Sequence, residues 1–363
     1  MSTISLRGLT KRFGTLLAAD NVDLDVGAGE VVCLLGPSGC GKTTTLRMIA
    51  GLESATAGEI LVGGKRVNEL SPARRNVAMV FQFYALYPSL TVRENLAFPL
   101  RAEKGMSGRD IQARVLEVAR VLDLTQVLDR IPGRLAEGEK QRVAVGRAIV
   151  RDPSCFLFDE PLSRLDVELR QQMRGKIKEV LNGLSKATVI VTHDQLEALT
   201  MADRIAVMRD GRIEQVASPH DIFAQPANLF VASFIGTPQM NLIEADLIGL
   251  EPGFARLRLD QQEIRLPLAQ ADGRLAMGER VTLGIRPRAF DLGSEAGPDT
   301  LTAEADLIEP MGAETLIHGI EHGRTIRVVV DRGRRVRPGT RLHLRPKPGQ
   351  VHLFDGVGQR IAA

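Results

Sequence analysis

The chain opens with two segments in which apolar and polar positions alternate, Ile4 to Leu9 and Asn21 to Val26. Alternation of this kind predicts half-exposed strands of a small antiparallel sheet. Five later runs are almost wholly apolar: Val31 to Leu35, Val77 to Val80, Cys155 to Phe158, Thr188 to Thr192 and Ile205 to Met208. Such runs fit strands buried on both faces, as in a parallel sheet covered by helices. Between Phe83 and Pro153 the period changes. Thr91 with Glu94, and Ser107 with Asp110, carry the spacing of a capping box, in which two side chains satisfy orphan amides at a helix start. Ile111, Val115, Val118, Ala119 and Leu122 then follow a helical period. A helical subdomain over about 84–153, inserted into an α/β core, is the expectation. After about Gly236 alternation returns in ARLRLDQQEIRLPL, RVTLGIRPR, TIRVVV and VHLF, with Gly, Pro and Asp between them. That pattern predicts a small β-barrel or sandwich. The expected boundary lies near Thr237-Pro238, giving domains 1–236 and 237–363.

Composition changes this picture little. The 363 residues are 44% hydrophobic and 25% charged, as in ordinary globular domains. A net charge of +3 is too small to argue for nucleic acid. Cys33, Cys40 and Cys155 are sparse and odd in number, which speaks for a reducing compartment rather than a disulfide framework. The first residues lack the apolar core of a secretory signal. No stretch reaches the roughly 18 to 20 apolar residues of a membrane-spanning helix. Work at a membrane is therefore expected to go through partners. Arg332, Arg334, Arg335 and Arg337 cluster without the interleaved aromatics that stack on bases. A solvated loop is favoured there over an oligonucleotide site, and no nucleic-acid partner is expected.

The candidate chemistry begins at GPSGCGKTT: Gly36, Pro37, Ser38, Gly39, Cys40, Gly41, Lys42, Thr43 and Thr44. The run matches G-x-x-x-x-G-K-[ST] between an apolar strand and a helical pattern, the context a phosphate loop requires. Glycines let backbone amides curl around phosphates. The helix starting near Gly41 turns its positive end toward them. Lys42 supplies a point charge, and the Thr43 hydroxyl can ligate Mg²⁺. A chance match in a glycine turn would lack the flanking strand and helix. The run Cys155 to Pro161 is an apolar strand ending in two acids. Asp159 is placed to hold Mg²⁺, and Glu160 to accept a proton from attacking water. Two merely solvated acids are the bland alternative, yet adjacent carboxylates at a buried strand end are costly unless used. His193 follows another apolar strand. A lone histidine is more often structural. Here three strand ends converge on the sheet edge where open α/β folds bind ligands.

Together these residues resemble the ABC ATPases, and more narrowly the ATPase subunits of maltose-type carbohydrate importers. The resemblance spans nearly the whole chain, through Met79 to Leu100, Phe158 to Asp166, Val191 to Met208 and Ile235 to Ile243. It implies an α/β P-loop NTPase core of ABC type with a helical subdomain, followed by a C-terminal all-β OB-like regulatory domain. It also implies ATP and Mg²⁺ as ligands, a second ATPase subunit (the same chain or a homologue), transmembrane permease subunits and, indirectly, a solute-binding protein. The place implied is peripheral, on the cytoplasmic side of the inner (plasma) membrane. Gln82 would close onto Mg²⁺ and the attacking water. Phe13 would stack on adenine, unless it is a packed core residue. Tyr84 to Tyr87 would line a groove for a permease helix, or form helical-subdomain core. Asp166 would complete the nucleotide site.

The chain departs from that family at the signature segment. Where LSGGQ is expected it reads LAEGE, Leu135 to Glu139. In the family this segment caps the γ-phosphate held by the opposite subunit. Gly138 is kept, but Ala136 replaces a serine whose hydroxyl would be worth about 1.5–3 kcal/mol against a charged acceptor. Glu137 and Glu139 favour the helix start but oppose an anion there. Arg164 replaces a small or amide residue before Asp166. Two assemblies fit: a homodimer with slow or tuned turnover, or a pair with a second ATPase that carries an intact signature. An ATP-binding regulatory subunit and a non-transport ABC protein are further alternatives. Only about 55 residues separate Gln82 from Gly138, too few for the coiled coils that non-transport relatives often insert.

Overall fold

The structure is a computed structural model, described here for residues 3–102, 105–183, 185–251, 253–260, 262–267 and 278–362. It divides into two compact units, Met1–Pro219 and His220–Ala363.

In the first unit the two alternating segments pair antiparallel, as strands β1 (Ile4–Phe13) and β2 (Leu16–Val26). Helix α1 (Lys42–Ala50) follows strand β3 (Val31–Leu35). Strands β4 (Ala57–Val62) and β5 (Lys65–Arg66) complete an antiparallel sheet of order β2-β1-β4-β5. After the short helix α2 (Pro72–Arg75) the apolar runs form β6 (Val77–Val80), β7 (Cys155–Asp159), β8 (Ala187–Thr192) and β9 (Arg204–Arg209). With β3 and the antiparallel edge strand β10 (Arg212–Ala217) they make a six-stranded sheet, β10-β9-β3-β8-β7-β6. The strands β3 and β6 to β9 are parallel, so their C-terminal ends share one edge.

Helices α3 (Val92–Arg101), α4 (Gly108–Val121) and α5 (Glu137–Ile149) lie between β6 and β7. Both capping boxes form. Thr91 and Ser107 accept from the amides of Glu94 and Asp110, and those acids reach back to the cap amides. Val115, Val118, Ala119 and Leu122 are buried, as the period predicts. Helices α6 (Val167–Asn182) and α7 (Gln195–Met201) follow β7 and β8. Among the described residues no helix is long and apolar enough to cross a membrane.

The second unit starts earlier than the expected Thr237-Pro238 boundary. Helices α8 (Pro219–Ala224) and α9 (Leu229–Phe234) are tied to its strands. The Arg286 guanidinium donates to the carbonyls of Phe223 and Ile235, and Asn228 bridges to Gln359. The strands are β11 (Asn241–Glu251), β12 (Phe254–Leu259), β13 (Gln262–Pro267), β14 (Arg280–Ile285), β15 (Phe290–Gly293) and β16 (Leu301–Pro310). After them come β17 (Glu314–Glu321), β18 (Arg324–Asp331), β19 (Arg341–Pro346), β20 (Val351–Phe354) and β21 (Arg360–Ala362). They form two sheets, β13-β12-β11-β14-β20-β21 and β15-β19-β16-β17-β18, closed on one apolar core. Asn241 joins the sheets, donating to the carbonyls of Ile285 and Arg327 and accepting from the Arg327 amide. Gln261 and Leu268, within the expected alternation, lie outside the described residues. The arginines 332, 334, 335 and 337 are exposed in a loop.

Candidate nucleotide site

The phosphate loop turns from β3 into α1 with geometry that two glycines alone permit. A Cβ on Gly36 would collide with the Met208 carbonyl oxygen, and one on Gly41 with that of Ala18. Gly41 also has φ 99°, in the left-handed region where L side chains are strained. The Lys42 side chain is buried, and its ammonium donates to the carbonyls of Gly36 and Pro37, both at 2.9 Å. Cys40 is buried, its sulfur turned to Gly36 and to the Lys42 ammonium. It is therefore a packing residue of the loop rather than an accessible thiol.

A cleft of about 520 Å³ lies over this loop. It is lined by Ser38, Gly39, Gly41, Lys42, Thr43 and Thr44, by Phe13 on β1 and by Glu160. Phe13 is 45% exposed, so it is not core; Lys11 stands 4.6 Å over its ring. Leu16, Leu17 and Ala18 on β2, with Asp210 and Gly211 in the β9–β10 turn, also line the cleft. The sequence reading missed these five, although Asp-Gly between two apolar runs is a turn signal.

The two acids at the end of β7 take different environments. Asp159 accepts from the Thr43 hydroxyl at 3.0 Å. Burial pushes its carboxyl up, and the Thr43 bond partly offsets that. Glu160 leaves the strand with φ 46°, a left-handed conformation that turns its side chain over the sheet edge. One carboxylate oxygen accepts from Gln82 Nε2 at 3.0 Å, and the other meets His193 Nδ1 at 3.2 Å. Loops after β6, β7 and β8 thus converge on one carboxylate. Thr43 and Asp159 place two oxygen donors side by side, with the Gln82 amide also at Glu160. That donor set suits a hard cation such as Mg²⁺ better than a soft metal. Among the described residues no group of three His, Cys, Asp or Glu side chains could hold a metal alone.

Beyond the phosphate loop, Ala136, Gly138 and Asp166 neither line this cleft nor bond to a residue that does, whereas Gln82, Asp159 and His193 bond to its lining at Glu160 and Thr43. Ala136 is the N-cap of α5, where its amide donates to the Glu139 carboxylate at 2.8 Å. Glu137 pairs with Lys140 at 2.7 Å. Gly138 packs against α6, where a Cβ would crowd Leu169. Asp166 caps α6, accepting from the Leu169 amide at 2.9 Å. The Tyr84 to Tyr87 stretch is mixed: Tyr87 packs against Phe98 with ring centroids 4.5 Å apart and tilted by 45°, while the adjoining Phe83 is 69% exposed.

Comparison with known proteins bears on this geometry. The family model for ABC transporters matches residues 19–163, the MalK OB fold domain matches 236–290 and the TOBE domain 283–354. The sn-glycerol-3-phosphate import ATP-binding protein UgpC of Chromobacterium violaceum is 44% identical, over 99% of this chain and 96% of its own. The chain belongs to the ABC transporter ATP-binding proteins. The sulfoquinovosyl glycerol transport ATP-binding protein SmoE of Agrobacterium fabrum is 43% identical, over 99% of both chains. A dimeric ATP-binding cassette, MJ0796, solved in a post-hydrolysis state with ADP and Pi, is 32% identical with a TM-score of 0.54. It covers 60% of this chain and 98% of its own. This ABC protein is thus an ATP-binding ATPase of the P-loop fold, with an OB-type C-terminal domain.

Proposed function

We propose that this ABC ATPase drives an importer, coupling ATP hydrolysis to uptake of a carbohydrate or polyol-type solute. It sits peripherally on the cytoplasmic side of the inner (plasma) membrane, bound to separate permease subunits and served indirectly by a solute-binding protein. The importer names of the relatives support the solute class. The observation that carries the reading is the joining of Gln82, Glu160 and His193 beside the phosphate loop.

The adenine stacks on Phe13, and the phosphates lie along the amides from Ser38 to Thr44. Lys42 exchanges its bonds to the Gly36 and Pro37 carbonyls for phosphate oxygens. Thr43, Asp159 and Gln82 would hold Mg²⁺, which when bound neutralises phosphate charge. Glu160 accepts the proton of the attacking water, oriented by Gln82, and His193 holds the Glu160 carboxylate in place. Catalysis is then mainly positioning and charge stabilisation.

A second reading concerns the partner. The start of α5 supports a weak trans phosphate site, since Ala136 has no hydroxyl and the Glu139 carboxylate occupies its amide. A dimer with a homologue carrying an intact signature would complete one competent site. An ATP-binding regulatory subunit with little turnover of its own is the limiting form. Steady-state hydrolysis by the purified chain, beside Glu160→Gln and beside the pair Ala136→Ser, Glu137→Gly, tests both readings. Turnover lost by about 10²–10⁴-fold in Glu160→Gln, with little change in the pair, supports a working homodimer. A silent chain revived by the pair supports the second subunit. A silent chain that the pair leaves silent counts against hydrolysis altogether.

A further inference from the structure

Four consecutive residues of the loop after β6 make four fastenings to two elements of the first unit, the loop after β7 and helix α5. Gln82 Nε2 donates to Glu160 at 3.0 Å and to the Ser163 hydroxyl at 3.3 Å. The Phe83 ring lies beneath the Arg164 guanidinium, 4.1 Å from centroid to Cζ. The Tyr84 hydroxyl is buried without a well-formed hydrogen bond and faces the Glu137 carboxylate. The Ala85 carbonyl accepts from the Arg147 guanidinium on α5. The loop reaches all four through left-handed φ values at Tyr84 (57°) and Ala85 (50°). Such a backbone persists only where its surroundings enforce it.

Two of these fastenings use charged side chains, Arg164 and Glu137. Arg164 lies in the loop after β7 and Glu137 at the start of α5, yet both bear on Tyr84. Burial pushes the Tyr84 phenol up to about 12, with Glu137 adding to that and Arg164 opposing it. Lys140, then Tyr84 and Arg164, hold the Glu137 carboxyl below its ordinary range, against burial. Residues that look unrelated in sequence are thus parts of one cluster.

We propose that Glu137 and Arg164 are positioning residues that latch the Gln82 loop, keeping the Gln82 amide on the Glu160 carboxylate. The start of α5 thereby bears on a loop of its own subunit. While the Gln82 amide occupies one Glu160 oxygen, an attacking water cannot hydrogen-bond there in its place. The latch therefore restrains turnover until Gln82 moves. This rests on Glu160 acting as the base, as proposed above.

The chain contains no tryptophan, so Phe83→Trp places a lone fluorophore under Arg164. In that background, with no nucleotide, Arg164→Asn and Glu137→Gly should each raise acrylamide quenching about twofold. The double change should do no more than the larger single one, because both act through one loop. Arg164→Lys keeps the charge but loses the planar stack, and should fall between. In the chain with Phe83 retained, Arg164→Asn should raise kcat about fivefold and leave KM for ATP unchanged. Quenching that ignores both substitutions, or adds them, overturns the latch. A kcat that moves only together with KM overturns the restraint on turnover. If no variant hydrolyses ATP, the hydrolytic role of Glu160 falls, and the fluorophore alone decides the latch.

Discussion

Gln82 and Glu160 lie 78 positions apart in sequence and meet at 3.0 Å, so one carboxylate reads the position of the loop after β6. His193 holds the other oxygen at 3.2 Å. Removing that ring leaves the base free to rotate but leaves the phosphate loop intact. His193→Ala should therefore lower kcat by about 10²–10³-fold while ATP affinity stays within about twofold. Turnover assays beside ATP titrations decide this. An affinity loss matching the loss in kcat would make His193 a binding residue instead.

Gly41 and Gly39 both have left-handed backbones, at φ 99° and 82°. Only Gly41 also faces a carbonyl, that of Ala18, while Gly39 opens to space. Gly39→Ala should cost about 1 kcal/mol of backbone strain. Gly41→Ala adds a collision with backbone and should cost at least about 2 kcal/mol, with loss of ATP binding. The comparison of thermal midpoints isolates the collision from the strain.

The Thr91 side chain and Glu94 satisfy each other's amides at the start of α3. Thr91→Ala removes one acceptor and should destabilise the protein by about 1 kcal/mol. Thr91→Ser keeps the acceptor and should lie close to the parent. Denaturant midpoints for the three proteins provide the check.

His352 is buried on β20, and burial, then Arg360 and Arg286, lower its pKa to about 4 from 6.5. Between those values the unfolded chain holds a proton that the folded chain refuses. Stability of the second unit is thus full above pH 6.5 and falls as the pH drops toward 4, by at most about 3 kcal/mol. His352→Gln should flatten that slope. Unfolding followed at pH 7, 5.5 and 4 measures it, and an equal slope in the variant would assign the effect to other groups.

The apolar runs from Val31 to Met208 could be read as strands because burial on both faces leaves no polar position to confuse the pattern. Thr91 and Ser107 were legible as caps because a cap is a local exchange of hydrogen bonds. The unit boundary was not. Helices α8 and α9 have six residues each, too short for a period, and what binds them is Arg286, far along the chain. At the site, glycine spacing and paired acids announced themselves. The cleft wall of Leu16, Leu17 and Ala18 did not, because apolar residues in a hairpin carry no chemical mark. Nor did sequence reveal the left-handed turn of Glu160, or that Arg164 would lie on Phe83.

The tie between Arg286 and the Phe223 and Ile235 carbonyls has a practical meaning for recombination between transporters. The β-rich module is not portable from Thr237 onward. Severed there, it would leave behind the helix whose Leu229 and Ala232 cover Met240 and Phe354, baring an oily floor. A guanidinium buried among carbonyls would lose its acceptors at the same stroke. A chimera joined at Pro219 would keep that lid and those counter-dipoles with the module.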